Sequence, residues 1–230
     1  MRVLVSVRDP AEAGIAAAAG VDFIDLKEPS AGALGGLPAA TIRATVRSLA
    51  ARDPSIRISA TIGDLPVSSA AAIEARVREV ADCGVDLVKV GLPGRGGTAA
   101  EALAVRLAGL GVALVPVLIA DDGLDPGFVE RLARLPFAAL MLDTQAKTTG
   151  SLLALLPEPP IRHFLATAAR AGRPAGLAGA LRQADLPRLG ALAPDFAGFR
   201  SAVCEGPREG QLSRHRLDAL LAELRPATMA

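Results

Sequence analysis

Three lysines are the residues of this sequence whose type most needs a chemical explanation. The 230-residue chain contains 22 arginines, but lysine stands only at positions 27, 89 and 147. Arginine serves equally well as a solvated positive charge, whereas an amine that must lose its proton and attack a carbonyl cannot be arginine. Lys27, Lys89 and Lys147 are therefore candidates for amine chemistry or for a compact ammonium at a site. An ordinary surface charge is the alternative for each lysine taken singly.

Two aspartates accompany these lysines. Asp25 and Lys27 are two positions apart in the segment VDFIDLKEPS, so in an extended strand their side chains leave the same face. Asp143 precedes Lys147 by four residues. An acid and an amine held together inside a protein can transfer protons and form a covalent bond to a carbonyl compound. Two structural ion pairs are the alternative interpretation.

Alternating segments indicate the fold that must position these residues. Short apolar runs alternate with longer Ala-, Leu- and Arg-rich segments of helical periodicity, a pattern typical of βα units around a parallel sheet. We predict eight strands, at about residues 2–6, 22–27, 56–61, 86–90, 112–118, 138–142, 174–178 and 197–201. The pattern favours one α/β domain over residues 1–230, a (β/α)8 TIM barrel. An open doubly wound sheet is the alternative, but the first strand-to-helix turn, SVRDP, lacks the glycines of a dinucleotide-binding fingerprint.

A barrel would bring the lysines and aspartates to one mouth. Lys27 ends the second predicted strand, Lys89 lies near the end of the fourth, and Asp143 with Lys147 follows the sixth. In this fold the carboxyl ends of all strands share the face on which active sites are built. We therefore expect Asp25, Lys27, Lys89, Asp143 and Lys147 to form one catalytic group.

Segments after strands 7 and 8 predict a phosphate-binding site. The glycines Gly176 and Gly179 come from the segment GLAG, and Arg200 and Ser201 end the segment GFRS. Backbone amides after these two strands form the recurrent phosphate site of the fold, and a guanidinium is a suitable charge partner. Ordinary turns are the alternative for the glycines.

Composition excludes several other classes of protein. The formal charge is +1, the arginines are spread along the chain, and Tyr and Trp are absent, so a nucleic-acid partner is not expected. We predict neither a signal peptide nor a membrane span, and hence a cytoplasmic protein. No metal site is predicted, because zinc-ligand spacing is absent among the cysteines and histidines, which are Cys83, Cys204, His163 and His215.

Motifs along the chain resemble those of one known family. The segments VSVRDPAEAG, DFIDLKEPSAGALG, DLVKVGL, MLDTQAKTTGSL, GLAGAL and FRSAVCEG are similar to those of the (5-formylfuran-3-yl)methyl phosphate synthases of methanofuran biosynthesis. The resemblance implies a (β/α)8 barrel that forms a Schiff base and condenses two molecules of glyceraldehyde 3-phosphate to 4-(hydroxymethyl)-2-furancarboxaldehyde phosphate, with loss of phosphate and water. Neither a metal nor an organic cofactor is implied.

The resemblance also implies residue roles. Lys27 in DLKEP would form the Schiff base, although the residues alone leave Lys147 as an alternative, and Asp25, Lys89 and Asp143 would assist. Archaeal members carry another lysine after strand 5, where this chain reads Ala-Asp-Asp-Gly at 120–123, which leaves substrate specificity open. A different sugar-phosphate aldolase and a non-catalytic phosphometabolite-binding barrel are the alternative functions. Triose phosphate is the expected ligand, and a homo-oligomer is expected.

Overall fold

The computed structural model describes residues 1–146 and 150–225, which form a closed barrel of eight parallel strands. Each strand pairs with the next along the chain, and β1 pairs with β8 to close the barrel. The strands are β1 Arg2–Val7, β2 Phe23–Leu26, β3 Arg57–Thr61, β4 Leu87–Pro93, β5 Leu114–Ile119, β6 Leu140–Asp143, β7 Ala175–Leu177 and β8 Phe196–Phe199. The predicted TIM barrel is confirmed, with every predicted strand in place.

Helices follow the strands and cover the outside of the barrel. They are α1 Pro10–Ala18, α2 Ala39–Ala50, α3 Ala70–Ala81, α4 Thr98–Ala108, α5 Pro126–Arg134, α6 Leu152–Leu155, α7 Glu158–Arg170, α8 Leu186–Leu192 and α9 Arg214–Leu224. The Asp9 carboxylate caps α1 by accepting a hydrogen bond from the Glu12 amide at 2.9 Å, and Pro10 occupies the first turn. None of the helices in residues 1–146 and 150–225 is long and apolar enough to cross a membrane.

Alternation along the strands divides the buried residues between two layers. Side chains such as Val5 and Ile24 belong to the larger cluster, which lies between the barrel and the helices. Leu4, Val117 and Met141 belong to a second cluster inside the barrel. Because the interior is filled by side chains, the barrel is a packed core that is open to ligands at its ends and not a pore.

Glycine at position 35 shapes the loop that follows β2. The Gly35 carbonyl accepts hydrogen bonds from the Glu28 amide and from the Thr61 hydroxyl, both at 2.8 Å. A Cβ atom at position 35 would lie 2.2 Å from the backbone oxygen of Glu28. The turn therefore requires glycine, and it holds the chain directly after Lys27.

We predict that Gly35→Ala destabilises the protein by about 1–3 kcal/mol, the usual cost of forcing an extra methyl group into a packed site. Urea denaturation of the two proteins measures the difference. Gly190→Ala is the matched control: Gly190 lies in α8 with nothing within 4 Å of the added Cβ atom. That change should be neutral or stabilising, because alanine is the better helix former. Equal effects of the two changes would show that the loop does not require glycine at position 35.

Candidate active site

Strand β2 directs Asp25 and Lys27 into the barrel. Ile24 and Leu26, the alternate residues, pack in the cluster between barrel and helices. Asp25 is 2% exposed and Lys27, one residue beyond the strand, is 7% exposed. The period of two that predicted a shared face is therefore observed, and it places an acid and an amine together in a buried position.

Lys89 reaches Asp25 from strand β4. Its Nζ lies 2.9 Å from Oδ1 of Asp25, and each side chain is only 3% exposed. Strand β3 separates the two strands, and there Thr61 is the register partner of Lys89 and Ser59 that of Asp25. The ion pair therefore crosses the interior of the barrel between strands that are not neighbours.

Two serines complete the surroundings of Asp25. Ser59 on β3 donates a hydrogen bond to Oδ1 at 2.7 Å, and Ser6 on β1 donates to Oδ2 at 3.1 Å. Both serines are register partners of Asp25 on the adjacent strands. The sequence analysis did not predict either serine as a site residue. The signal was alternation: Ser6 shares a face of β1 with the inward residue Leu4, and Ser59 lies on the face of β3 opposite to the outward residues Ile58 and Ala60.

These contacts set the ionisation of Asp25. Burial alone would raise the pKa of its carboxyl, but the positive charges of Lys89 and Lys27 lower it. Hydrogen bonds from Ser59 and Lys89 lower it further, so the pKa of Asp25 lies below its ordinary value. Asp25 is therefore a carboxylate near neutral pH, which suits it to stabilise a cation and makes it a poor proton donor.

A small cavity at the carboxyl ends of the strands collects the predicted residues. Asp25, Lys27, Lys89 and Asp143 all line it. Lys27 Nζ lies 3.4 Å from the Ala33 carbonyl oxygen of the loop after β2. Asp143 is 2% exposed, and its Oδ1 accepts a hydrogen bond from the Thr144 amide at 2.7 Å. The structure thus brings together two amines and two carboxyls from β2, β4 and β6. Lys147, the fifth predicted catalytic residue, lies outside the described residues.

Three of the four predicted phosphate-binding residues line this cavity, and one does not. Gly179, Arg200 and Ser201 line the same cavity. Gly176 does not: it lies within β7, where a Cβ atom would come within 2.0 Å of the Phe196 ring. Gly176 therefore gives space to an aromatic side chain inside the barrel, and its place in a phosphate site stays a prediction without support from its position.

Arg200 is held by protein acceptors on every side. Its guanidinium pairs with Glu12 at 2.5 and 3.1 Å and donates to the carbonyls of Ser6, Arg208 and Gly210 at 3.1, 2.9 and 2.7 Å. These contacts occupy the five N–H donors of the group. In this conformation Arg200 contributes positive charge to the cavity but has no donor left for a ligand.

Other reactive side chains lie away from this cavity. Burial raises the pKa of the Cys204 thiol to about 11, although Arg200 acts in the opposite direction, so the thiol is protonated at neutral pH. Cys83 is also buried, and burial likewise raises the pKa of its thiol. Within residues 1–146 and 150–225, no group of three or more His, Cys, Asp or Glu side chains is arranged to hold a metal ion.

We predict that Lys89→Met lowers the free energy of unfolding at pH 7 by about 3–5 kcal/mol, because the change leaves the Asp25 carboxylate buried without its cation. Chemical denaturation from pH 7 down to about pH 3 provides the measurement. The contribution of Asp25 is present above the ordinary pKa of 3.8 and is lost as the pH falls through its lower folded value. The variant should therefore approach the wild type at low pH, where Asp25 takes up a proton.

Arg57→Met is the control for this prediction. Arg57 pairs with Asp86 at 2.9 Å, but its side chain is 66% exposed, so its loss should cost less than about 1 kcal/mol. Similar small losses of unfolding free energy in both variants would show that the Asp25–Lys89 pair does not contribute the predicted stability.

Comparison with known proteins supplies a family. The sequence profile of the 4-HFC-P synthase family matches residues 3–221. A Methylorubrum extorquens protein provisionally named as a (5-formylfuran-3-yl)methyl phosphate synthase is 38% identical, over 88% of this chain and 82% of its own. The (5-formylfuran-3-yl)methyl phosphate synthase of Methanopyrus kandleri is 36% identical, over 96% of this chain and 98% of its own.

Solved structures agree with the fold. Phosphoribosyl anthranilate isomerase from Thermus thermophilus superposes with a TM-score of 0.64 at 21% identity, over 98% of this chain and all of that chain. A 3-hexulose-6-phosphate synthase superposes with a TM-score of 0.57 at 18% identity, over 96% of this chain and 99% of that chain. These similarities support the barrel alone, whereas the family profile and the curated relatives span nearly the whole chain. The chain therefore belongs to the 4-HFC-P synthase family, the (5-formylfuran-3-yl)methyl phosphate synthases of methanofuran biosynthesis.

Proposed function

We propose that this protein condenses two molecules of glyceraldehyde 3-phosphate to 4-(hydroxymethyl)-2-furancarboxaldehyde phosphate, releasing phosphate and water, through a Schiff base on Lys27. The observation that carries the proposal is the convergence of Lys27, Lys89, Asp25 and Asp143 on one buried cavity. Amines and carboxyls in contact are the groups that class I aldolase chemistry needs. The family membership supports the identity of the product.

Lys27 is the better nucleophile of the two described lysines. Lys89 is held against the Asp25 carboxylate at 2.9 Å, so its Nζ is already engaged in a buried ion pair. Lys27 stands one residue beyond its strand, at the mouth, and lines the cavity where a carbonyl compound would enter. A bound triose would meet the Lys27 amine first, while the Lys89–Asp25 pair lies deeper along the strands.

Asp25 and Asp143 take different roles in this proposal. The lowered pKa of Asp25 keeps it ionised, so it stabilises the positively charged iminium that forms on Lys27. It is correspondingly a weak base. We assign removal of the substrate α-proton to Asp143, which approaches the same cavity from β6.

The chemical steps follow from these groups. The Lys27 amine adds to the carbonyl of one triose phosphate and water leaves, giving an iminium. Loss of the α-proton to Asp143 gives an enamine, which expels the phosphate at C3 and leaves an unsaturated iminium. A new C–C bond then joins this C3 to C2 of the second triose, which keeps its phosphate. Water releases the amine, and ring closure with loss of water gives the furan. Each step requires acid–base catalysis at positions that the cavity provides, without a cofactor.

We predict that borohydride reduction of the protein with glyceraldehyde 3-phosphate leaves a triose-sized adduct on Lys27, identified by peptide mass mapping. Lys27→Arg retains the charge, so substrate binding should survive while turnover falls by at least about 10³-fold. Unreduced protein with the same substrate is the control. An adduct on Lys147 would overturn the assignment within the same chemistry, and no adduct on any lysine of a protein that binds the substrate would favour a non-catalytic barrel.

Asp143→Asn should separate proton transfer from Schiff-base formation. We expect turnover to fall by about 10²–10⁴-fold, the usual contribution of a general base. The adduct on Lys27 should still form after reduction, because amine addition does not need the α-proton to leave. Solvent deuterium incorporation into the unreacted triose provides the measurement. Unchanged deuterium exchange in the variant would remove Asp143 from this step.

A further inference from the structure

The loop after strand β8, residues 200–213, is fastened to the barrel by Arg200. Besides its pair with Glu12, Arg200 donates to the carbonyls of Arg208 and Gly210 at 2.9 and 2.7 Å. Arg200 is 6% exposed, so these bonds are protected from water. These bonds fix the backbone of the loop at Arg208, the next arginine along the chain.

Arg208 turns towards the cavity from this fixed position. Its side chain lines the cavity that contains Lys27 and Asp25. Its Nη2 donates to the Gly32 carbonyl at 3.1 Å, in the loop after β2. Among residues 1–146 and 150–225, this is the single acceptor that the guanidinium binds, which leaves four N–H donors available. Arg208 and Arg200 line the same cavity, but their hydrogen-bonding states are opposite.

Neutral donors line the same cavity as Arg208. Gly179 and Ala180 follow β7, and Ser201 follows Arg200. The amides of Gly179 and Ala180 have no acceptor in the described part of the chain. A guanidinium together with backbone amides and a hydroxyl is the usual donor set for a phosphoryl group. A carboxylate would be a poor competitor, because it has fewer oxygens to accept these bonds.

We propose that Arg208 binds the phosphoryl group of a triose phosphate and that Arg200 is the positioning residue that holds the loop of Arg208 in place. The identity of the substrate rests on the function proposed above. Arg208 thereby selects phosphorylated trioses, with the phosphate on the β7–β8 side of the cavity and the carbonyl directed towards Lys27 on β2.

The direct test is the binding of sn-glycerol 3-phosphate, a three-carbon phosphate ester that has no carbonyl and therefore cannot form a Schiff base with Lys27. Calorimetric titration of the Arg208→Gln variant should show affinity weaker than that of the wild type by about ten- to a hundred-fold, the usual effect of losing charge-assisted hydrogen bonds. Arg208→Lys should recover part of the loss, since it restores charge but not the planar group.

Arg95→Gln is the matched control. Arg95 is an exposed arginine of the loops on the same face, its Nη1 also donates to a backbone carbonyl, that of Asp122 at 2.8 Å, and it does not line this cavity. Its variant should bind glycerol 3-phosphate as the wild type does. Equal affinity of the wild type and Arg208→Gln would overturn the proposal, as would an equal loss in Arg95→Gln.

A second measurement excludes a purely structural role. Borohydride trapping of unphosphorylated D-glyceraldehyde should proceed at the same rate in the wild type and Arg208→Gln, while trapping of glyceraldehyde 3-phosphate at low concentration should slow by at least about ten-fold in the variant. Equal slowing with both aldehydes would contradict the assignment. If the wild type bound glycerol 3-phosphate through Arg208 but formed no adduct, the Schiff-base function alone would fail.

Discussion

The Asp25–Lys89 ion pair is the interaction on which the rest of the site depends. Two charges that are each 3% exposed must be compensated within the barrel, because desolvation of either alone would cost several kcal/mol. Each charge compensates the other, and the Ser6 and Ser59 hydroxyls add hydrogen bonds to Asp25 at the same level of the barrel. A slip of one residue in β1 or β3 would turn these hydroxyls outward, so the ion pair also requires the observed strand register.

The same constraint explains the distribution of lysine and arginine. Inside the barrel, a compact ammonium can approach one carboxylate oxygen among close side chains, and only an amine can add to a carbonyl. Arg200 has the opposite role, because its planar group joins Glu12 on α1 to three carbonyls, two of them in the loop after β8. Lys27 and Lys89 therefore occupy positions of proposed chemistry inside the barrel, whereas Arg200 organises the loop after β8.

Much of this arrangement was predictable from the sequence because it depends on local pattern. Alternation within β2 identified the shared face of Asp25 and Lys27, and the barrel topology placed Lys89 and Asp143 at the same mouth. Boundaries were less accurate: β4 continues to Pro93, because its pairing with β5 extends beyond the apolar run. The contact between Asp25 on β2 and Lys89 on β4 could not be predicted, since it requires the register of the strand between them.

The arginines show where sequence reasoning fails. The partner of Arg200 is Glu12, which lies 188 residues away and whose local sequence indicates only the first turn of a helix. Nothing local distinguishes an arginine saturated by protein acceptors from one that faces a ligand. Arg208 was not predicted as a site residue, because its position depends on the contacts that Arg200 makes with the loop.

A crystal structure of the protein after borohydride reduction with glyceraldehyde 3-phosphate tests the central claim most directly. We expect electron density continuous with Nζ of Lys27, while Lys89 remains paired with Asp25. Density continuous with Nζ of Lys89, together with a broken pair to Asp25, would show that the ion pair is the reactive centre and would contradict the roles assigned to the two lysines.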